Sequence, residues 1–263
     1  MKLAFVAGER VGAFAGARGE CPSCRGEVIA KCGSHRVWHW AHFGIRDCDT
    51  WAEPETEWHR AWKNNFPADF QEFIQHDAET GERHIADVRT SHGLVLEFQH
   101  SHLNPQERVA RERFYGNMLW VVDCTRLKGD YPRLLKGKDG LRPIINGHFL
   151  LAFPEECFPK MWLDCSVPVI FDFRGLERGA SSDPYKNTLW CLLPGRAEGN
   201  AVVVGLSPEQ FVSVTPTRAE LISKDTVANF AQVIRERAEQ NARLSYQPLG
   251  GFTGGPLRRT PRF

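Results

Sequence analysis

The chain has 263 residues, 42% of them hydrophobic, and a formal net charge of +1. That length suits one large domain, or a core with small appendages. The balanced charge excludes a global basic field as the source of any nucleic-acid affinity. No run of about 18 apolar residues occurs, so no membrane-spanning helix is expected. The stretch Lys2-Leu3-Ala4-Phe5-Val6 is too short for a signal peptide. Eight cysteines in a chain this long do not make a disulfide scaffold. Cys21, Cys24, Cys32 and Cys48 crowd the first fifth among histidines, which points to a metal site in a reducing compartment, the cytoplasm.

Residues 2–7 read as a short strand and 9–20, rich in Gly and Ala, as a loop. Cys21-Pro22-Ser23-Cys24 then presents two thiolates to one ion. Residues 27–31 and 37–40 read as arms of a hairpin around Gly33-Ser34. If residues 37–42 are extended, His39 and His42 point to opposite faces and only one of them can ligate. The favoured set is Cys21, Cys24, His42 and Cys48 around Zn²⁺, with His39 the alternate. Cys32 reads as a small packed residue. A redox role for the Cys-x2-Cys pair lacks the βαβ context it needs.

Glu53-Pro54-Glu55 reads as the start of a helix, with Pro in the first turn and acids at the positive end. Pro67 stops it. Glu57, His59 and Lys63 stand on its polar faces, where a solvated face is the plain alternative. Residues 69–76 read as a strand, followed by a turn at Glu79-Thr80-Gly81.

Residues 85–99 read as two strands around Ser91-His92-Gly93, with Gly93 supplying positive φ. Folded there, Thr90 faces Leu94, Val88 faces Leu96 and Asp87 faces Glu97. Ala86, Val88, Leu94, Leu96 and Phe98 make the apolar face. Asp87, Arg89, Val95, Glu97 and Gln99 make the other. Opposed carboxylates about 5 Å apart repel by about 3 kcal/mol at an effective dielectric of about 20. A divalent cation would offset this; two acids on a solvated face is the rival reading.

Asn104-Pro105 caps a strongly charged helix, and residues 119–123 form an apolar run suited to a buried strand. Beyond Cys124 the segment 127–140 is basic. Strands are expected at 149–153, 168–173, 188–192 and 201–204. A short helix starts at Ser207-Pro208, and residues 219–244 are largely helical. From Ser245 the Gly/Pro-rich tail, with Arg258, Arg259 and Arg262, reads as disordered. The expected division is a zinc-binding module at 1–50, a core at 51–145, a mixed α/β extension at 146–244 and the tail at 245–263.

The order helix, three-strand meander, helix, strand, with acids on the second and third strands, resembles the restriction-endonuclease-like PD-(D/E)xK nuclease fold. More specifically, it is similar to the competence protein CoiA-like family. Three pieces carry the resemblance: Cys21-x2-Cys24 with His39-Trp40-Ala41-His42, then Glu57-x-His59-x3-Lys63, then Ala86-Asp87-Val88 with Glu97-Phe98-Gln99-His100-Ser101. It implies an α/β (α+β) chain with an αβββαβ core behind an N-terminal zinc knuckle. It further implies a DNA-cleaving enzyme using Mg²⁺ or Mn²⁺ held by Asp87, Glu97 and Glu57, with Gln99, His59 and Lys63 completing the site. Gln99 stands where the general pattern has lysine, and glutamine neither carries charge nor acts as a base. A DNA-binding accessory protein of the same fold, catalytically weak or inactive, is the alternative.

Overall fold

The computed structural model describes residues 1–44, 48–77, 80–176 and 181–245. Glu79 of the expected turn and the tail from residue 246 onward lie outside the described residues.

The first part of the chain folds into β1 (Leu3–Val6), β2 (Glu9–Gly12), β3 (Arg18–Glu20), β4 (Glu27–Lys31) and β5 (His39–His42). Next come α1 (Glu57–Lys63), β6 (Gln71–His76), β7 (Arg83–Arg89), β8 (Val95–Gln99), α2 (Pro105–Tyr115) and β9 (Met118–Asp123). The expected order of helix, meander, helix and strand is therefore present. The remainder is α3 (Asp130–Gly137), β10 (Arg142–Pro143), β11 (His148–Leu151), β12 (Val169–Asp172), α4 (Pro184–Asn187), β13 (Leu189–Leu192), β14 (Ala201–Leu206), α5 (Pro208–Val214) and α6 (Thr226–Ser245).

Among the described residues the strands make two sheets. One has five strands in the order β2-β1-β3-β4-β5, and the other nine in the order β10-β11-β14-β13-β12-β9-β8-β7-β6. Strands β8, β9 and β12 run parallel, and the neighbours on either side antiparallel. The division expected at residue 145 does not interrupt the larger sheet, because β12 pairs directly with β9. That pairing joins segments nearly fifty positions apart, which local pattern does not encode. No helix among the described residues is long and apolar enough to cross a membrane.

Residues 9–20, read as a loop, contribute two strands. Ala7 and Gly8 turn the chain at positive φ, 52° and 89°, and bring β2 back onto β1. In β3, Gly19 is required by close approach, since a Cβ there would lie 2.6 Å from the Phe5 carbonyl oxygen. Small residues here serve backbone packing, and that hid the strands.

Each face of the large sheet buries a core. One packs Trp58 and Trp62 of α1 and Phe211 of α5 on Val88, Leu96, Phe98 and Val121. The other packs Tyr115 of α2 and Leu134 of α3 on Val95, Trp120, Val169 and Phe171. Ala86, expected on the face of Val88, belongs to the second cluster. The β7–β8 ladder stops at Val88↔Leu96, short of the acids, so simple alternation does not carry through to Ala86.

One buried carboxylate ties α1 to the sheet. Asp172, at the end of β12, accepts from the indole N–H of Trp58 (2.9 Å) and of Trp62 (3.0 Å) on one oxygen. Its other oxygen accepts from the backbone N–H of Arg174 (2.9 Å) and Gly175 (3.2 Å). Removing it strands buried donors, at about 1–3 kcal/mol each. Asp172→Ala is therefore expected to destabilise the chain by about 3 kcal/mol or more, read as a lower denaturation midpoint in urea. A midpoint unchanged from wild type would remove this anchor role.

Candidate functional site: an acid pocket and a thiolate cluster

The hairpin of β7 and β8 has the expected register. Val88 faces Leu96, the Thr90 N–H donates to the Leu94 carbonyl (2.9 Å), and Gly93 sits at φ +80°. Beyond Val88 the side chains replace the ladder. The Asp87 N–H donates to Glu97 Oε1 (3.2 Å) and the Phe98 N–H to Asp87 Oδ2 (3.0 Å). The two acids are thus locked face to face where the strands part. They line a cavity of about 90 Å³ with Glu53, His59, Lys63 and Gln99. One water needs about 10–15 Å³ of such space, so the cavity has room for a cation with its waters.

Glu97 is fully buried. Burial first, and the Asp87 charge second, push its pKa from 4.5 up to about 8, against the pull of Arg111. The Arg111 guanidinium donates to Glu97 Oε2 (3.1 Å) and to the Trp51 carbonyl (2.8 Å), and also pairs with Glu107. Lys63 is equally buried and reaches Glu55 (2.8 Å), Glu72 (3.2 Å) and Asp87 (3.7 Å). Burial opposes its charge, but Glu72, Asp87 and Glu55 outweigh burial and raise its pKa, so the ammonium is fixed. At Glu55, Lys63 first and Arg60 with it overcome burial and pull the pKa down to about 2. Burial holds the His59 imidazole toward neutrality, with Nδ1 3.0 Å from the Thr56 hydroxyl.

In the smaller sheet the Cys-x2-Cys turn and the end of β5 converge. Ligand atoms of Cys21, Cys24, His42 and Cys48 all lie within 4.8 Å of one another. Cys21 Sγ is 3.7 Å from Cys48 Sγ, and Cys24 Sγ is 3.2 Å from His42 Nε2. A tetrahedral zinc with bonds of about 2.3 Å separates two sulfurs by about 3.8 Å, so donor set and spacing fit. Burial first, then the neighbouring thiols, push the Cys48 thiol up to about 12; a cation offsets that crowding. His39, the alternate, is turned away with Nδ1 on the Val37 carbonyl (2.8 Å). All eight cysteines are free thiols.

Residues 18–50 match the family model of the competence protein CoiA N-terminal domain. The matched segment holds β3, β4, β5 and all four ligands of the thiolate cluster. Strands β1 and β2 complete the sheet from outside it. No curated protein and no solved structure matches the chain.

The five-stranded sheet sits against the acid pocket. The backbone N–H of Leu3 donates to Glu72 (2.8 Å), that of Lys2 bonds the same carboxylate, and Arg60 of α1 donates to the Trp38 carbonyl (2.9 Å). The structure brings Asp87, Glu97, Gln99, His59 and Lys63 together around the cavity. Glu57 is a correction: it is exposed and outside the lining. Thr56 is the N-cap, accepting from the His59 N–H, so α1 begins at Glu57 and not at Glu53. The preceding Glu53-Pro54-Glu55 is a strap beside the acids. Glu53 accepts from Gln99 Nε2 (2.6 Å) and Ser101 Oγ (2.7 Å). Glu53, Glu55, Glu72 and Arg111 escaped the sequence pattern. Glu72 in particular sits at φ +49°, which strand alternation does not foretell.

A raised carboxyl pKa has a definite sign in folding. Glu97 stabilises the fold below its unfolded pKa near 4.5, and that stabilisation is lost as pH rises toward about 8. Without added Mg²⁺ or Mn²⁺, the melting temperature is expected to fall from pH 5 to 8.5 more steeply in wild type than in Glu97→Gln. Parallel profiles would show that Glu97 titrates normally.

Proposed function

We propose that the chain is a metal-dependent nuclease that hydrolyses DNA phosphodiester bonds. The observation that carries this reading is the meeting of Asp87 and Glu97 over a cavity of cation size beside a fixed ammonium. Hard oxygen donors in such a space favour Mg²⁺ or Mn²⁺. The metal would lower the pKa of a bound water and offset charge on the scissile phosphate. In this reading Lys63 supplies the positive charge that Gln99 lacks. Gln99, held by Glu53, orients water or phosphate, and neutral His59 shapes the wall. Glu53 is better placed than Glu57 to complete the ligand set. The element order supports a PD-(D/E)xK assignment, and the CoiA-type domain supports a role in competence, with DNA as partner, in a reducing cytoplasm. Zn²⁺ in the thiolate cluster is structural.

The test is cleavage of labelled single-stranded, duplex and branched DNA with and without Mg²⁺ or Mn²⁺. Metal-dependent products support the reading, and their absence on every substrate overturns it. One observation favours a DNA-binding protein without hydrolysis: Arg111 already donates to Glu97, supplying a cation where chemistry needs a metal. Calorimetry separates the two. The nuclease is expected to bind Mn²⁺ and to lose it in Glu97→Ala, whereas the binding protein takes none at this pocket.

A further inference from the structure

Strands β8, β9 and β12 are adjacent and parallel, so the loops that leave their carboxyl ends share one edge of the sheet. That edge is where open parallel sheets receive ligands. The first loop begins His100-Ser101-His102, the second is Cys124-Thr125-Arg126-Leu127-Lys128-Gly129, and the third begins Phe173-Arg174-Gly175-Leu176 and reaches α4 through Asp183. Their described residues include His100, His102, Arg126, Lys128 and Arg174; the one described acid, Asp183, is engaged by the Tyr131 hydroxyl.

The edge is built, not merely charged. His100 Nδ1 bonds Asp123 Oδ2 (2.7 Å) at the end of β9. The other oxygen of Asp123 accepts from the Thr125 N–H (2.8 Å) and hydroxyl (2.6 Å). Gly175 lies so close to Thr125 that a Cβ would stand 2.8 Å from its methyl. The three loops are thereby stitched together, and the carboxylates at the strand ends are spent inward. Asp130 is buried and paired with Arg133 (2.6 Å). Arg126 and Lys128 are exposed and have no ion pair among the described residues. The exposed acids Glu57 and Glu209 stand beside Leu176 and Arg174, so the unpaired positive charge of the edge is that of Arg126 and Lys128.

The edge also continues the acid pocket. Gln99 lines the pocket and His100 follows it, while the ring of His100 is 6.3 Å from that of His59, another lining residue. Three strand ends span about 10 Å at about 4.8 Å each, the length of about three nucleotides at about 3.4 Å each.

We propose that this edge binds the sugar-phosphate backbone of the nucleic acid whose scissile phosphate enters the Asp87–Glu97 pocket. The proposal rests on the nuclease reading for what happens in the pocket, but its own content is a backbone-binding surface. Contacts of this kind position a strand without reading its sequence.

The test uses the full chain as Asp87→Ala, alone and with Arg126→Ala and Lys128→Ala together. Anisotropy of a fluorescein-labelled 20-base-pair duplex and of a 20-nucleotide oligothymidine is followed from 50 to 200 mM NaCl. Losing two phosphate contacts is expected to flatten the slope of log K against log salt by about 1.8 on duplex or about 1.4 on single strand, with at least tenfold weaker binding at the lowest salt. Arg113→Ala, on the exposed side of α2, serves as control and leaves the slope unchanged. A slope unaltered by the double substitution overturns the proposal. So does polyaspartate binding with the same affinity and the same loss, which would make the edge a dock for acidic protein. Hydrolysis of bis(p-nitrophenyl) phosphate by wild type with Mn²⁺ separately tests the chemistry. Its absence would sink the nuclease reading while the slopes still decide the edge.

Discussion

On the proposed nuclease function, Asp87→Ala is expected to lower metal-dependent DNA cleavage on the order of 10³-fold while the chain stays folded. Asp87 is the partly exposed member of the pair, its side chain 24% accessible against 5% for Glu97, so it is the donor that an incoming cation and substrate meet first. Without it, Glu97 is left with Arg111 and too few oxygens to hold a hard dication. The fold, by contrast, loses little. Lys63 keeps Glu55 at 2.8 Å and Glu72 at 3.2 Å, so its charge stays compensated, and Glu97 is relieved of a like-charged neighbour. Lys63→Ala makes the contrast, because it leaves Glu55, Glu72 and Asp87 without their shared cation. Breaking a buried pair costs about 3–5 kcal/mol, so that variant is expected to melt early as well as to lose activity. Cleavage by Asp87→Ala at the wild-type rate would remove the pocket from the mechanism.

The legible parts of the molecule were those written in local pattern. The hairpin could be read because apolar residues alternate up to the turn and Gly93 supplies the one positive φ it needs. That only one of His39 and His42 can ligate followed from strand parity, and the structure decides for His42 by turning His39 away. The capped start of α2 at Asn104-Pro105 was legible for the same reason, since Asn104 accepts from the Gln106 N–H (2.8 Å). What was not legible depends on contacts distant in sequence. Arg111 looks like one charge among many on a polar helix until packing places it on Glu97, fourteen positions away. Glu72 reads as a strand residue, yet its left-handed backbone sends the carboxylate to Lys63 and to the first strand of the other sheet. The start of α1 was misplaced because Pro54 and two acids imitate a first turn, while Thr56 supplies the actual cap.

Removing one thiolate of the candidate zinc cluster should show how far the pocket depends on the five-stranded sheet. Among the described residues the fully buried apolar cluster of the small sheet is Ala4, Ala17, Cys21, Val28 and Trp40. Two of its members, Cys21 and the strand carrying Trp40, belong to the ligand frame itself. Structural zinc contributes about 10–16 kcal/mol in finger peptides, far more than so small a core can replace. Cys48→Ser is therefore expected to reduce bound zinc from about one equivalent to a small fraction and to abolish amide protection in residues 3–42. The nine-stranded sheet has its own two cores and should keep its protection. The consequence then crosses between the sheets. Glu72 loses the Lys2 and Leu3 amides, and Arg60 loses the Trp38 carbonyl. With one end of the Glu72–Lys63 anchor released, Mn²⁺ affinity at the acid pocket should fall even though no pocket residue has changed. Calorimetry on Cys48→Ser with hydrogen exchange on the same sample checks both steps. Loss of protection in residues 3–42 with undiminished Mn²⁺ binding would show that the pocket stands on the large sheet alone.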